Sequence, residues 1–236
     1  MTTAAALQYA LKQDFQENKT DIVVFYNMGA ISTKVSVVKY FTRTPTKKKK
    51  NKKTNDGKGA FEVLAQSWDE TLGGINFDRA IAHVVIERAF VELATRKHLD
   101  ANFEDLSFRE KMRVDPRFTA RIMKAAGRAK KILSANTETV VSIEGIYEDE
   151  DFRTTISREE LYAECDSLFE RALVPLENAV KTSGYDREDI ESIVLVGGGT
   201  RIPKIRQLLT AFLDKFRRSL FFWMHISLCF VRSENG

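Results

Sequence analysis

Residues 193–204 read IVLVGGGTRIPK, the most informative stretch of this chain. Ile193, Val194, Leu195 and Val196 have the length and apolarity of a buried strand. Gly197, Gly198 and Gly199 follow, then Thr200, Arg201 and a proline, Pro203, placed at the first turn of an amphipathic helix. A strand, a glycine-rich turn and a helix start, in that order, form an anion site. Glycine allows close backbone approach, and the helix start offers N–H groups and the positive end of a dipole. Phosphate is the expected anion. The alternative is a tight turn whose glycines serve geometry alone, and the rest of the chain has to choose between them.

Working outward, residues 3–11 have a helical composition. Residues 22–26 form an unbroken apolar run that suits a strand covered on both faces. Residues 34–41 partly alternate, with Val35 and Val37 on one side. Between them lies the turn NMGAIST (27–33), so the pair reads as a hairpin. A third strand is predicted at 61–66, and a long helix at 77–98 with Ile81, Val84, Val85 and Phe90 on one stripe. Pro116 opens another helix, with Ile122, Ala125, Ala126, Ala129, Ile132 and Leu133 spaced for its buried face. Residues 139–144 and 152–156 read as strands joined by an acidic turn. Ser157 and Glu160 form a capping box. The helix it starts is expected to reach Ser183, to kink at Pro175 and to end at Gly184. This order predicts an α/β chain: a sheet core with a more helical subdomain inserted in it.

The 236 residues allow one large domain or two small ones, and an apolar fraction of 43% supports a packed core. The net charge of +4 comes from one place. Lys47, Lys48, Lys49, Lys50, Lys52, Lys53 and Lys58 crowd one segment, and without them the balance would be negative. Like charges repel, so the insertion at 46–58 reads as a solvated loop. A nucleic-acid binder would spread basic residues over a face with aromatics between them, so no nucleic-acid partner is expected. The apolar tail after Phe216 is interrupted by His225 and too short for a membrane span, so no membrane partner is expected either. Cys165, Cys229, His83, His98 and His225 lack metal-ligand spacing, and Cys165 falls on an apolar helix face. Residues 1–11 do not have the pattern of a secretory leader.

Three motifs in fixed order carry a family resemblance. VLVGGGTRIPK (194–204) resembles the second adenosine-side motif of the 70-kilodalton heat-shock chaperones. TLGGINFD (71–78) resembles their LGG-x-x-FD segment, and GRAKKILSANTE (127–138) resembles the helix lining their adenine and ribose pocket. The stretch 142–173 is similar to the family's hairpin and following helix, and the likeness covers about residues 3–213. The long lysine insertion and the turn NMGAIST look like the large lumenal branch, the hypoxia up-regulated, 170-kilodalton glucose-regulated type.

The resemblance implies an actin-like ATPase fold, of which this chain holds the second lobe of the nucleotide-binding domain. It implies a partial domain at 1–213 with a helical and hairpin subdomain at about 75–156, then a tail at 214–236 foreign to the family. The family's first phosphate hairpin, catalytic lysine and peptide-binding domain have no counterpart, and Met1 stands where a glutamate is expected. A fragment or a truncated gene product is therefore expected.

It further implies ATP or ADP as ligand, with Mg²⁺ held only in the full-length protein. Unfolded clients and a partner heat-shock chaperone would be its partners, in the endoplasmic reticulum lumen. Residue by residue, Gly197, Gly198, Gly199 and Arg201 would meet the α-phosphate and adenine. Lys130, Lys131 and Ser134 would reach the ribose and adenine. Gly29, Ser32, Thr33, Gly73 and Gly74 would face the phosphates. No catalytic or metal-ligating residue is assigned. Asn27 replaces the family's Mg²⁺-facing aspartate, and Gly127 replaces a ribose-binding glutamate. Ile31 replaces a glycine, and a left-handed backbone there would cost a β-branched residue about 1–2 kcal/mol. Nucleotide binding is compatible with such a turn; efficient hydrolysis is not expected. A non-enzymatic interaction module with a decayed nucleotide site is the other reading. A sugar kinase of the same fold is a weaker third.

Overall fold

The computed structural model describes residues 2–12, 20–42, 59–96, 110, 115–147 and 149–214. The lysine insertion, His98 and the tail beyond residue 214 lie outside the described residues. The chain divides into two compact units, one of Met1–Gly73 with Glu170–Gly236, the other of Gly74–Phe169.

The first unit is built on a four-stranded sheet of β1 (Thr20–Met28), β2 (Thr33–Thr42), β3 (Gly59–Asp69) and β6 (Ile190–Val196), in the order β3-β2-β1-β6. β1 and β2 are antiparallel, as are β2 and β3, whereas β1 and β6 run parallel. β1 is buried without a break from Ile22 to Met28, as its continuous apolar run requires of a strand with both faces covered. On one face, α1 (Thr2–Lys12) packs Ala6 and Tyr9 against Val23, Phe25, Val38 and Tyr40. The Tyr9 and Phe25 rings meet edge to face at 5.7 Å, and the Tyr40 hydroxyl donates to the Ala6 carbonyl at 2.8 Å. Alternation along β1 sends Tyr26 to the opposite face. There its hydroxyl donates to the Ala172 carbonyl at 2.9 Å, where the helix Asp166–Ser183 covers the sheet. Burial pushes the Tyr26 phenol well above its ordinary pKa.

The second unit holds α2 (Gly74–Arg96), α3 (Pro116–Leu133), the hairpin β4 (Glu138–Tyr147) and β5 (Glu150–Ser157), and α4 (Arg158–Glu164). Asp115 caps α3, accepting the Arg117 N–H at 2.9 Å, with Pro116 in the first turn where its missing N–H costs nothing. The buried face of α3 is Phe118, Ile122, Ala126, Ala129 and Leu133. Phe118 was not in the expected stripe. Ile132, which was, is an exposed residue, because its position at the stripe margin turns outward in the last turn. The hairpin alternates as a half-covered sheet should, with Val141, Ile143, Phe152 and Ile156 inward.

The capping box is present: Glu160 N–H donates to Ser157 Oγ at 3.1 Å and Ser157 N–H to Glu160 Oε2 at 2.8 Å. The single helix expected from Ser157 to Ser183 is two. The interruption falls at Cys165, whose N–H is shared between the Leu161 and Tyr162 carbonyls. Pro175 sits inside α5 (Asp166–Ser183) without ending it. Gly184 closes α5 with φ of 75°, the left-handed cap that glycine permits. Cys165 is buried, and burial pushes its thiol up to about 12, so it is an inert core residue at neutral pH.

Candidate functional site

In the first unit β1, β3 and β6 point the same way, so their carboxyl ends lie along one edge of the sheet. Three turns leave that edge: 29–32 after β1, 70–73 after β3 and 197–201 after β6. In open α/β sheets this edge is where ligands bind.

The glycines there are set by close approach. Gly197 has φ of 88°, and a Cβ on it would lie 2.3 Å from the Met28 carbonyl oxygen and 2.8 Å from Asn27 Oδ1. A Cβ on Gly199 would lie 2.4 Å from Met28 Cγ. A Cβ on Gly73 would lie 2.5 Å from the Ile31 carbonyl carbon. The turn after β6 is therefore pressed against the end of β1, and the turn after β3 against the backbone of the turn after β1. Gly198 differs, since nothing lies within 4 Å of its Cβ position and it is exposed. It is the one glycine of the three with open space for an approaching group.

Side chains hold this arrangement from behind. Thr200 is buried and donates its hydroxyl to the Gly197 carbonyl at 2.8 Å. Arg206 Nε donates to the Thr200 carbonyl at 3.0 Å. Gly198–Arg201 forms a 3-10 turn, and α6 (Pro203–Asp214) starts after Ile202. Arg201 is exposed at the lip. Gly29 N–H donates to the Ser32 carbonyl at 3.0 Å, closing the four-residue turn between β1 and β2.

Two expectations need correction. Thr33 is fully buried and donates its hydroxyl to the Leu72 carbonyl at 2.8 Å. It ties two turns together from beneath and does not present its hydroxyl to a ligand. Ile31 carries no left-handed backbone: among the described non-glycine residues only Asp149 has a positive φ. The strain foreseen at Ile31 is absent, and its side chain stands exposed at the turn tip.

The second unit carries the other predicted residues. Lys130 Nζ lies 2.8 Å from Asp78 Oδ2 and donates to the Gly74 carbonyl at 2.7 Å. Both side chains of that pair are mostly buried. Lys131 is exposed. Ser134 caps α3, its N–H bonded to the Lys130 carbonyl at 3.1 Å and its hydroxyl to the Lys131 carbonyl at 2.6 Å. Gly127 faces Asp78, whose Oδ1 would lie 3.7 Å from a Cβ there and has no hydrogen-bond partner. Gly73 belongs to the first unit and Gly74 to the second. Sequence reasoning missed Thr200, Arg206, Asp78 and Asp69, all of which act by bracing a turn or a lysine. Asp78 and Thr200 had a signal, as members of TLGGINFD and VLVGGGTRIPK.

The donor set fits a nucleotide better than a metal. An open glycine turn with an arginine at its lip accepts a phosphate ester. The Asn27 amide, at 9% exposure beside Gly197, brings no charge for a hydrated Mg²⁺. Asp69, the last residue of β3, is already engaged by Thr71 and Arg171.

Residues 1–219 match the profile of the Hsp70 protein family. The chain belongs to that family. Its α/β fold is part of the actin-like nucleotide-binding domain of an Hsp70 protein. It is 35% identical over 214 residues to heat shock 70 kDa protein 17 of Arabidopsis thaliana, covering 90% of this chain and 22% of that protein. It is 32% identical over 217 residues to hypoxia up-regulated protein 1 of Xenopus tropicalis, covering 90% of this chain and 30% of that protein. With the Danio rerio protein of the same name the figures are 33% over 209 residues, 88% and 19%. The chain thus spans 19–30% of the length of these relatives, and the resemblance to the hypoxia up-regulated branch holds.

Proposed function

We propose that this chain supplies part of the ATP- and ADP-binding site of an Hsp70-type chaperone of the endoplasmic reticulum lumen. The full protein would hold unfolded clients under stress and assist nucleotide exchange on a partner heat-shock chaperone. The observation that carries this reading is the meeting of three turns at the carboxyl ends of β1, β3 and β6, with Gly198 open above them. Gly29, Ser32, Gly73 and Gly197–Gly199 line the phosphate side, with Arg201 toward the base. Lys130, Lys131 and Ser134 would serve the ribose and adenine, as in the family's adenosine-side helix. Mg²⁺ enters only with groups the full-length protein adds, since Asn27 contributes no charge. ATP turnover by this chain alone is not expected, because phosphoryl transfer depends on charge stabilisation from both lobes.

The test is calorimetry on this chain with adenosine, ADP and ATP. Weak binding led by adenosine, with little gain from the γ-phosphate, supports the reading. ATP binding far above ADP with strong Mg²⁺ dependence would mean that Asn27 does not limit the site. Absence of binding to all three favours the second reading, a non-enzymatic interaction module. Lys130 bound to Asp78 and Asn27 in place of a carboxylate both speak for that alternative. The lumenal assignment is tested by protease protection of the tagged natural product in sealed microsomes, and digestion without detergent would sink it.

A further inference from the structure

The turn 70–73 after β3 carries an ionic brace. Asp69 Oδ1 accepts both the N–H and the hydroxyl of Thr71, each at 2.9 Å. Asp69 Oδ2 accepts from Arg171 Nη2 at 2.8 Å, and the same nitrogen donates to Thr71 Oγ1 at 2.8 Å. The next residue along α5, Ala172, accepts the buried Tyr26 hydroxyl. Consecutive residues of one helix therefore grip β1 and the turn after β3. From the turn the connection continues through the Leu72 carbonyl to Thr33, and through the backbone contact of Gly73 with Ala30 and Ile31.

We propose that Arg171 is a positioning residue for the phosphate-facing turn 70–73, holding Gly73 against the turn after β1. It touches no ligand. The inference rests on the nucleotide reading above and gives a role to a residue outside the expected ligand contacts. Arg171 is 44% exposed, so its effect on global stability is small. Its effect on the turn is larger because Thr71, in the middle of the turn, is held both by Arg171 directly and by Asp69, which Arg171 fixes in place. Both bonds use one nitrogen, so charge and reach matter more than a two-pronged fork. Lysine is accordingly a partial substitute.

The experiment uses the full 236-residue chain as wild type, Arg171→Ala and Arg171→Lys. Amide hydrogen exchange is followed at residues 70–74 and along β1, and ADP and adenosine affinities are measured by calorimetry. In Arg171→Ala, exchange at 70–74 should rise by about fivefold while β1 is unchanged. ADP affinity should fall by about threefold with adenosine affinity unchanged, and Arg171→Lys should recover part of both. Unchanged exchange at 70–74 overturns the brace. Faster exchange with unchanged ADP affinity, or equal losses for ADP and adenosine, overturns the link to the phosphate side. If the wild type binds neither ligand, the nucleotide reading and that link fail together, while the exchange arm still decides whether Arg171 holds the turn.

Discussion

The strand-end turns of the first unit and the last turn of α3 in the second unit were assigned to the same ligand, yet they are held by different means. The turns rest first on close packing, which side chains then brace: Gly197, Gly199 and Gly73 each lie where a Cβ would overlap a neighbouring main chain or Met28. The α3 turn is fixed by side chains, with Lys130 drawn to Asp78 and to the Gly74 carbonyl. A backbone-built site keeps its shape whether or not ligand is present. A side-chain-built site has made internal bonds that a ligand would have to displace, which lowers the net gain of each new hydrogen bond.

The largest expected effect tests the backbone half. Gly197→Ala meets both the Met28 carbonyl and a left-handed φ of 88°. Overpacking and backbone strain together should cost about 3 kcal/mol. Gly198→Ala, one residue on and with open space, should change stability by less than about 0.5 kcal/mol. Urea unfolding followed by circular dichroism measures both. Equal stability for the two variants would show that the turn is not pressed against β1 as described.

Next in size is Thr33→Val. The side chains are similar in shape, but the Leu72 carbonyl loses its donor in a fully buried place. An unsatisfied buried acceptor costs about 2 kcal/mol. Thr33→Ser retains the hydroxyl and should cost clearly less. If valine were as stable as threonine, the stitch between the two turns would carry no weight.

How much of this was legible beforehand differs between the two regions for the same reason. Glycines announce a backbone constraint in the sequence itself, so the turn after β6 could be read from GGG followed by Thr200, Arg201 and Pro203. The periodicity of α2 and α3 and the capping box at Ser157 were equally visible, because they depend on neighbours three or four residues away. The roles of Thr33 and Lys130 were not visible. Each is decided by a partner 39 or 52 residues distant, Leu72 or Asp78, and composition gives no hint of which polar group a side chain will choose. The break at Cys165 was missed because Pro175 offered a louder local signal.

A smaller effect probes the side-chain half. Lys130→Met keeps the aliphatic length of the side chain and removes the charge. Asp78 then loses its cation while Oδ1 already lacks a partner. A partly buried carboxylate left alone should cost about 1 kcal/mol. Replacing both residues, Lys130→Met with Asp78→Leu, should return most of that loss. If the double variant is less stable than either single one, the pair is contributing net stability and a ligand would find Lys130 still harder to recruit.

The smallest expected effect is one of pH, and it compares the units directly. In the second unit the Ser157 N–H donates to Glu160, and this outweighs the desolvation that would raise its pKa; Arg88 adds to the lowering. In the first unit desolvation pulls Asp69 upward, but the Thr71 N–H, Arg171 and the Thr71 hydroxyl together hold it below its usual value. Both carboxyls are thus more acidic folded than unfolded. Their contribution is fully present above the unfolded value, about 4, and is lost as pH falls through the folded one. Glu160→Gln and Asp69→Asn should therefore each lie below wild type in Tm at pH 6–7. That gap should close as the pH drops toward 3, since the protonated wild type then resembles its amide. Both groups are reachable by water, so each gap should be narrower than those of the core substitutions above. A gap that stays constant from pH 7 to pH 3 would show that the amide disrupts packing and that the charge on the carboxylate is not what holds the turn or the helix cap.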